Sequence, residues 1–253
     1  MAFLAAYAAG HYQGTPGKRV PKELDPEETR EWSLNNLVAV AFEERRQMYE
    51  GFDAIRVDDV TGSTMVSLEA RCKIANQEKA DLFLEFHHNA LNGRPWDGGG
   101  VVAYCSKGST VSDEWRDALY DAAIEAGGIK GNRSEPKARA NFYVLTHTDM
   151  CAVLMEFGFM DSTVDAPTIL DPEYSRKMGY AMADGVAKKA GLRLKPQKLK
   201  FDDVPTDVWY HDAVVEVATR GLMVGVGNNL FNPNEPVTRA ELAQVLARLT
   251  QSL

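Results

Sequence analysis

Four places in this chain carry residue types that do chemistry: His11, Glu31, the adjacent pair His87-His88, and Glu156. His11, the histidine pair and Glu156 each close a short apolar run, respectively "AFLAAYA", "ADLFLEFH" and "AVLME". Such runs, too short for helices, read as buried strands. Glu31 opens the helix-period stretch "REWSLNNLVAVAFEERRQMYEGF". Two histidines, one carboxylate ligand and a further carboxylate suit a catalytic zinc site, in which three protein ligands leave one position for water and the free carboxylate moves protons. No short-spacing motif such as H-E-x-x-H is present, so these donors can meet only through the fold. Successive strand side chains point to opposite faces, so only one of His87 and His88 can face such a site. The plainer alternative for the pair is two polar residues where a buried strand reaches the surface.

The elements that must bring them together follow from periodicity. Strands are expected near residues 5, 56, 84, 103 and 155, with helix-period stretches between them. In the first helix Leu34, Leu37, Val38, Ala41 and Phe42 form one apolar face. In "LEARCKIANQEKA" Ala70, Ile74 and Ala75 are expected to face the core, with the polar residues outward. "DEWRDALYDAAIEAGG" and "EYSRKMGYAMADGVAKKAG" end on glycines placed to cap helices. Strands alternating with helices predict an α/β fold with a mostly parallel sheet and helices on both faces, over residues 1–193. Ligand sites in such sheets lie beyond the carboxyl ends of the strands, where His11, His87 and Glu156 fall.

Composition narrows the classes. The chain has 253 residues, 45% hydrophobic and 25% charged, ordinary for a globular protein. A formal charge of -8 lacks the basic footprint of a nucleic-acid binder. Three widely spaced cysteines, Cys72, Cys105 and Cys151, sit in apolar segments and read as reduced core residues. No apolar run is long enough for a membrane span. The start "MAFLAAYAAGHYQG" lacks a basic segment and fits a buried first strand better than a signal peptide.

The blocks "AGHYQG", "EWSLNNLVA", "SLEARCKIANQEKADLFLEFHHNA" and "VLMEFGFMDS" resemble, in that order, those of the zinc-dependent N-acetylmuramoyl-L-alanine amidases of the amidase-3 type. The resemblance implies His11, Glu31 and His87 as Zn2+ ligands and Glu156 as the catalytic carboxylate. In it His87 holds the ligand position and His88 a small-residue position, so His88 faces away or lines the cleft. For Glu31 the family's glutamate stands four residues before an Asn-like position, which Asn35 matches; Glu23, Glu27 and Glu28 are nearby competitors, and a plain helix N-terminal charge is the structural alternative. The chain departs from the family at Tyr12-Gln13, where Gly-Gly is usual, at Glu85, where serine is usual, at Cys151, where proline is common, and at "GFMDS". His147 and His211 match no block and are expected in surface or core roles. "SKGSTVSDEWR" and "PWDGGG", with Trp96, are expected as cleft walls.

Residues 194–200, basic and Pro-containing, read as a linker, and 201–253 as a small helix-loop-helix unit. Residues 212–220 suit a helix stopped by Gly221. Thr238 and Glu241 form a capping-box pattern opening a second helix with Leu242, Val245, Leu246 and Leu249 as its buried stripe. "FDDV", Trp209, "GLMVGVGNNLFNP" and "VTRAE" resemble an S-layer homology (SLH) module. That resemblance implies binding to a secondary cell-wall polysaccharide, with Asp203, Trp209 and Arg239 as the glycan-binding residues; Trp209 as a core anchor and Arg239 as a brace are the alternatives. Such a unit buries little alone, so self-association through it, or packing on the first domain, is expected.

The resemblances together imply a peptidoglycan hydrolase that cuts the amide between N-acetylmuramic acid and L-alanine, with neither nucleic acid nor membrane as partner. No export signal is evident, which suits a phage or prophage endolysin made in the host cytoplasm and released to the wall; a secreted autolysin with its leader removed is the alternative. The rival functions are a zinc peptidase acting within the stem peptide and a non-catalytic wall-binding protein.

Overall fold

The computed structural model describes residues 2–108, 110–195 and 200–251, and the chain divides into two compact units, Met1–Leu194 and Lys195–Leu253. The expected linker falls mostly on residues 196–199, outside the described residues.

In the first unit β1 (Phe3–Ala9), β2 (Phe52–Arg56), β3 (Leu82–Asn89), β4 (Val102–Cys105), β5 (Lys137–Arg139) and β6 (Cys151–Phe159) form one sheet in the order β2-β1-β3-β6-β4-β5. β1 is parallel to β2 and β3, and β3 to β6, whereas β4 runs antiparallel to β6 with β5 parallel beside it. The fold is therefore α/β with a mostly parallel sheet. β5 was not among the expected strands: at three residues, two of them basic, it has no hydrophobic period to read.

Both sheet faces are covered, which is why the inner strands read as nearly unbroken apolar runs. On one face Tyr7, Leu84, Phe86 and Met155 pack with Val38 and Phe42 of α1 (Glu31–Arg46) and Met178 and Met182 of α6 (Pro172–Ala190). α3 (Thr110–Glu125) joins them through Leu119 and Ala123. On the other face Ala6, Ala8, Phe83 and Leu154 meet Cys72 and Ala75 of α2 (Leu68–Gln77) and Val144 and Leu145 of α4 (Tyr143–Thr146). A short α5 (Ala166–Ile169) precedes α6. Two of the expected core faces need correction. Leu37 of α1 is exposed, and in α2 Ile74 is exposed while Arg71 is buried. All three cysteines are free, Cys72 and Cys105 buried.

Helix α6 shows how local chemistry sets an element. The Asp171 side chain accepts from the Glu173 N–H at 3.0 Å, Pro172 takes the first turn, and Gly191 closes the helix at φ 70°. Gly179 lets it lie close on α1, since a Cβ there would stand 2.4 Å from the Val38 carbonyl oxygen.

Asp113 of α3 ties β5 to the body, accepting from Arg139 Nε at 2.9 Å and lying 2.8 Å from Arg116 Nη1. The Arg139 hydrogen bond outweighs burial and holds its carboxyl down at about 2. Its folded pKa is below the unfolded value, so its contribution is complete above about 4 and is lost as pH falls through about 2. Asp113→Asn is expected to cost about 1 kcal/mol at pH 7 after screening by solvent. In denaturant titrations that difference should vanish near pH 2; equal stability at pH 7 would contradict it.

In the second unit α7 (His211–Thr219) ends before Gly221, at φ 66°, and α8 (Arg239–Gln251) opens on a reciprocal capping box. Glu241 accepts from the Thr238 N–H at 2.8 Å, and the Glu241 N–H donates to Thr238 Oγ1 at 3.2 Å. The expected buried stripe is corrected: Leu242 and Leu246 are exposed, and the apolar side chains buried among the unit's described residues are Val204, Val214 and Leu222. Among the described residues no helix is long and apolar enough to cross a membrane.

Candidate active site

His87 and Glu156 are register partners on neighbouring parallel strands, near the carboxyl ends of β3 and β6. Strand alternation places Phe83, Glu85 and His87 on the face that carries α2, and sends Leu84, Phe86 and His88 to the face that carries α1. His88 is accordingly buried, its Nδ1 2.8 Å from Asn35 Oδ1, while Asn35 Nδ2 donates to the Gly10 carbonyl at 3.1 Å. Burial pushes its pKa down to about 4, so it is neutral at neutral pH. His88 thus faces away from the other candidates and braces the turn after β1.

That turn carries His11 at φ 66°, a left-handed conformation that needs external support in a non-glycine residue. Arg71 and Asn35 supply it: Arg71 Nη1 donates to the Ala9 carbonyl at 3.1 Å and Nη2 to the His11 carbonyl at 3.0 Å, on either side of the Asn35–Gly10 bond. Glu31, the first residue of α1, is fully buried and reaches the same point. Its Oε1 lies 2.9 Å from His87 Nδ1 and 3.3 Å from His11 Nε2, and its Oε2 lies 3.4 Å from Lys18 Nζ. The two imidazoles meet edge to face, with centroids 5.0 Å apart.

His11, Glu31 and His87 offer one ligand atom each within 4.8 Å of one another. The electrostatics suit a cation. Burial opposes charge on His87, yet hydrogen bonding to Glu31 and Glu85 outweighs it and pushes its pKa up to about 10. An imidazole that holds a proton so firmly marks a corner where carboxylates exceed fixed positive charge, and a divalent ion fits both that charge and this nitrogen-oxygen donor set. Beside the cluster, Oε2 of Glu156 is sealed from solvent without a hydrogen-bond partner. Burial, with some repulsion from Glu31, pushes the Glu156 carboxyl up to about 8 despite the opposing pull of His87. A buried carboxylate without partners is costly, and such groups concentrate at functional sites.

His11, His87 and Glu156 line a cleft of about 510 Å³ together with the apolar side chains of Met65, Leu68, Phe142 and Tyr143. The expected walls differ. Trp96 donates to the buried Asp161 and lines a separate cavity with Tyr104 and Arg133, and residues 110–116 belong to α3. His147 stacks on Tyr143 at the surface, and His211 pairs with its neighbour Asp212. In the second unit the Asp203 carboxylate accepts from the Phe231 and Asn232 N–H groups, Trp209 is 93% exposed, and Arg239 begins α8. Sequence reasoning passed over Arg71, Asn35's bracing role and Lys18. An arginine one turn into an amphipathic helix reads as surface, and no local pattern around Arg71 marks it otherwise.

Residues 8–188 match the family described as N-acetylmuramoyl-L-alanine amidase, and residues 200–243 match the S-layer homology domain. The chain is 32% identical over 133 residues to the N-acetylmuramoyl-L-alanine amidase CwlM of Bacillus licheniformis, covering 52% of this chain and 49% of that one. It is 30% identical over 126 residues to the probable cell wall amidase LytH of Staphylococcus aureus, covering 50% of this chain and 39% of that one. The chain therefore spans half or less of the length of these curated relatives. Among solved structures, the catalytic domain of the amidase CwlV from Bacillus (Paenibacillus) polymyxa superposes with TM-score 0.64 at 20% identity, covering 76% of this chain and 99% of that one, a likeness of fold. With most of its length matched in this way, the chain belongs to the N-acetylmuramoyl-L-alanine amidase family and carries an S-layer homology domain behind the matched region.

Proposed function

We propose that the protein hydrolyses the amide between the lactyl group of N-acetylmuramic acid and L-alanine in peptidoglycan, with Zn2+ held by His11, Glu31 and His87. The observation that carries this reading is the meeting of His11, Glu31 and His87, with His11, His87 and Glu156 lining one cleft. Zinc, when bound, polarises a carbonyl and acidifies a water molecule. Glu156 takes the proton from the attacking water and returns it to the departing amine of L-alanine. Its Oε2, sealed from solvent and without a hydrogen-bond partner, is free to exchange that proton. Lys18, 3.4 Å from the outer oxygen of Glu31, balances part of its charge.

The second unit serves as a wall anchor in this proposal. Trp209, almost wholly exposed, offers a flat face to a sugar ring, and Arg239 an ionic partner for an acidic substituent. Asp203 takes part indirectly, by fixing the loop at Phe231 and Asn232.

Removal of the metal tests the reading. Dialysis against a chelator should abolish release of soluble fragments from purified walls, and stoichiometric zinc should restore it. Full activity in protein shown by elemental analysis to be metal-free would overturn the proposal.

A further inference from the structure

Arg71 and Glu85 form a buried ion pair that touches both histidines of the cluster. Each side chain is 2% exposed, and Arg71 Nη1 lies 2.8 Å from Glu85 Oε1. The other oxygen, Oε2, lies 3.6 Å from His87 Nε2, on the opposite side of the ring from the Nδ1 that faces Glu31 at 2.9 Å. Arg71 also donates to backbone: Nε to the Val66 carbonyl at 3.1 Å, Nη1 to Ala9, and Nη2 to His11 at 3.0 Å. A buried pair of this kind is a weak source of stability, because desolvation consumes most of the attraction. Its geometry is more informative than its energy.

We propose that Glu85, pinned by Arg71, is a positioning residue that sets the tautomer of His87. With its carboxylate at ion-pair distance from Nε2 it favours the Nε2–H tautomer and leaves Nδ1 as the metal-binding nitrogen, while the same arginine clamps the strained turn that presents His11. Metal-bound histidines commonly donate their second ring nitrogen to a carboxylate, which fixes ring orientation and raises ligand basicity. Here one ion pair serves both ligands, Glu85 facing the His87 ring and Arg71 holding the backbone that carries His11, so the two are set by one buried scaffold rather than separately.

The inference rests on the zinc reading above, and its test separates the two. Glu85→Gln is nearly isosteric, but an amide has one acceptor where the carboxylate has two. The new amide would have to turn its N–H groups toward either Arg71 or His87. The variant is expected to bind zinc ~10–100-fold more weakly in chelator competition, while the metal-free protein keeps its circular dichroism and a cooperative unfolding transition. A merely structural pair would instead lower the melting temperature and leave the affinity of the folded protein unchanged, and that result overturns the inference.

Wild-type protein supplies a second measurement that needs no variant to fold. With histidine-selective 15N labelling, five imidazoles are observed. In the zinc-loaded protein the His87 signal should show a protonated Nε2 and a metal-bound Nδ1. Metal at Nε2 overturns the role of Glu85 but leaves the zinc reading intact, whereas no zinc binding at all overturns both.

Discussion

Replacing Glu156 by glutamine is expected to lower the rate of wall hydrolysis by ~10³-fold while zinc remains bound, a loss in the range found for removal of a general acid-base group. The amide keeps the size and polarity of the side chain but can neither take a proton from water nor return one to an amine. Oε2 of Glu156 has no hydrogen-bond partner to lose. The fold should therefore tolerate the change, and the melting temperature should stay close to that of the wild type. Zinc content, melting temperature and rate measured on one preparation would check this. Wild-type activity in Glu156→Gln would remove the residue from the mechanism.

The second large effect is expected at a residue with no chemistry of its own. Gly10 lies under the His87 ring, where a Cβ would stand 2.1 Å from Cε1 and 2.3 Å from Nε2. The ring has little freedom to withdraw, because Glu31 faces one nitrogen and Glu85 the other. Gly10→Ala must move either the imidazole or the turn that carries His11. Displacement of a reacting group by about 1 Å costs ~10²-fold in rate, and overpacking adds about 1–3 kcal/mol of destabilisation. Unlike Glu156→Gln, this variant should lose zinc affinity together with activity. An alanine variant with native zinc affinity would show that His87 does not stand where the structure puts it.

The parallel strands were legible because they are short, apolar and buried on both faces, and that same property hid their facing. "LFLEF" has no polar-apolar alternation, so nothing in it tells His87 from His88. The resemblance alone put His87 at the ligand position; in the structure Asn35 on α1 takes His88, and Glu31 takes His87. Arg71 was hidden for another reason. Its burial depends on the carbonyls of Ala9 and His11, about sixty positions earlier in the chain, and local periodicity carries no trace of them. Glu85 stood out in the sequence only as a departure from serine; its partner gives that departure a physical sense. In α8 the stripe of Leu242 and Leu246 was correctly read as apolar, but periodicity reports which face is apolar and not whether it is covered.

The bond that is cut can be read directly from the products. Purified peptidoglycan should be digested with the zinc-loaded protein, with a chelated sample alongside, and the soluble products identified by mass spectrometry. Intact stem peptides that begin with a free L-alanine amine are expected, together with glycan bearing unsubstituted lactyl carboxylates, both absent from the chelated sample. Peptides cut internally, with muramic acid still joined to L-alanine, would contradict it.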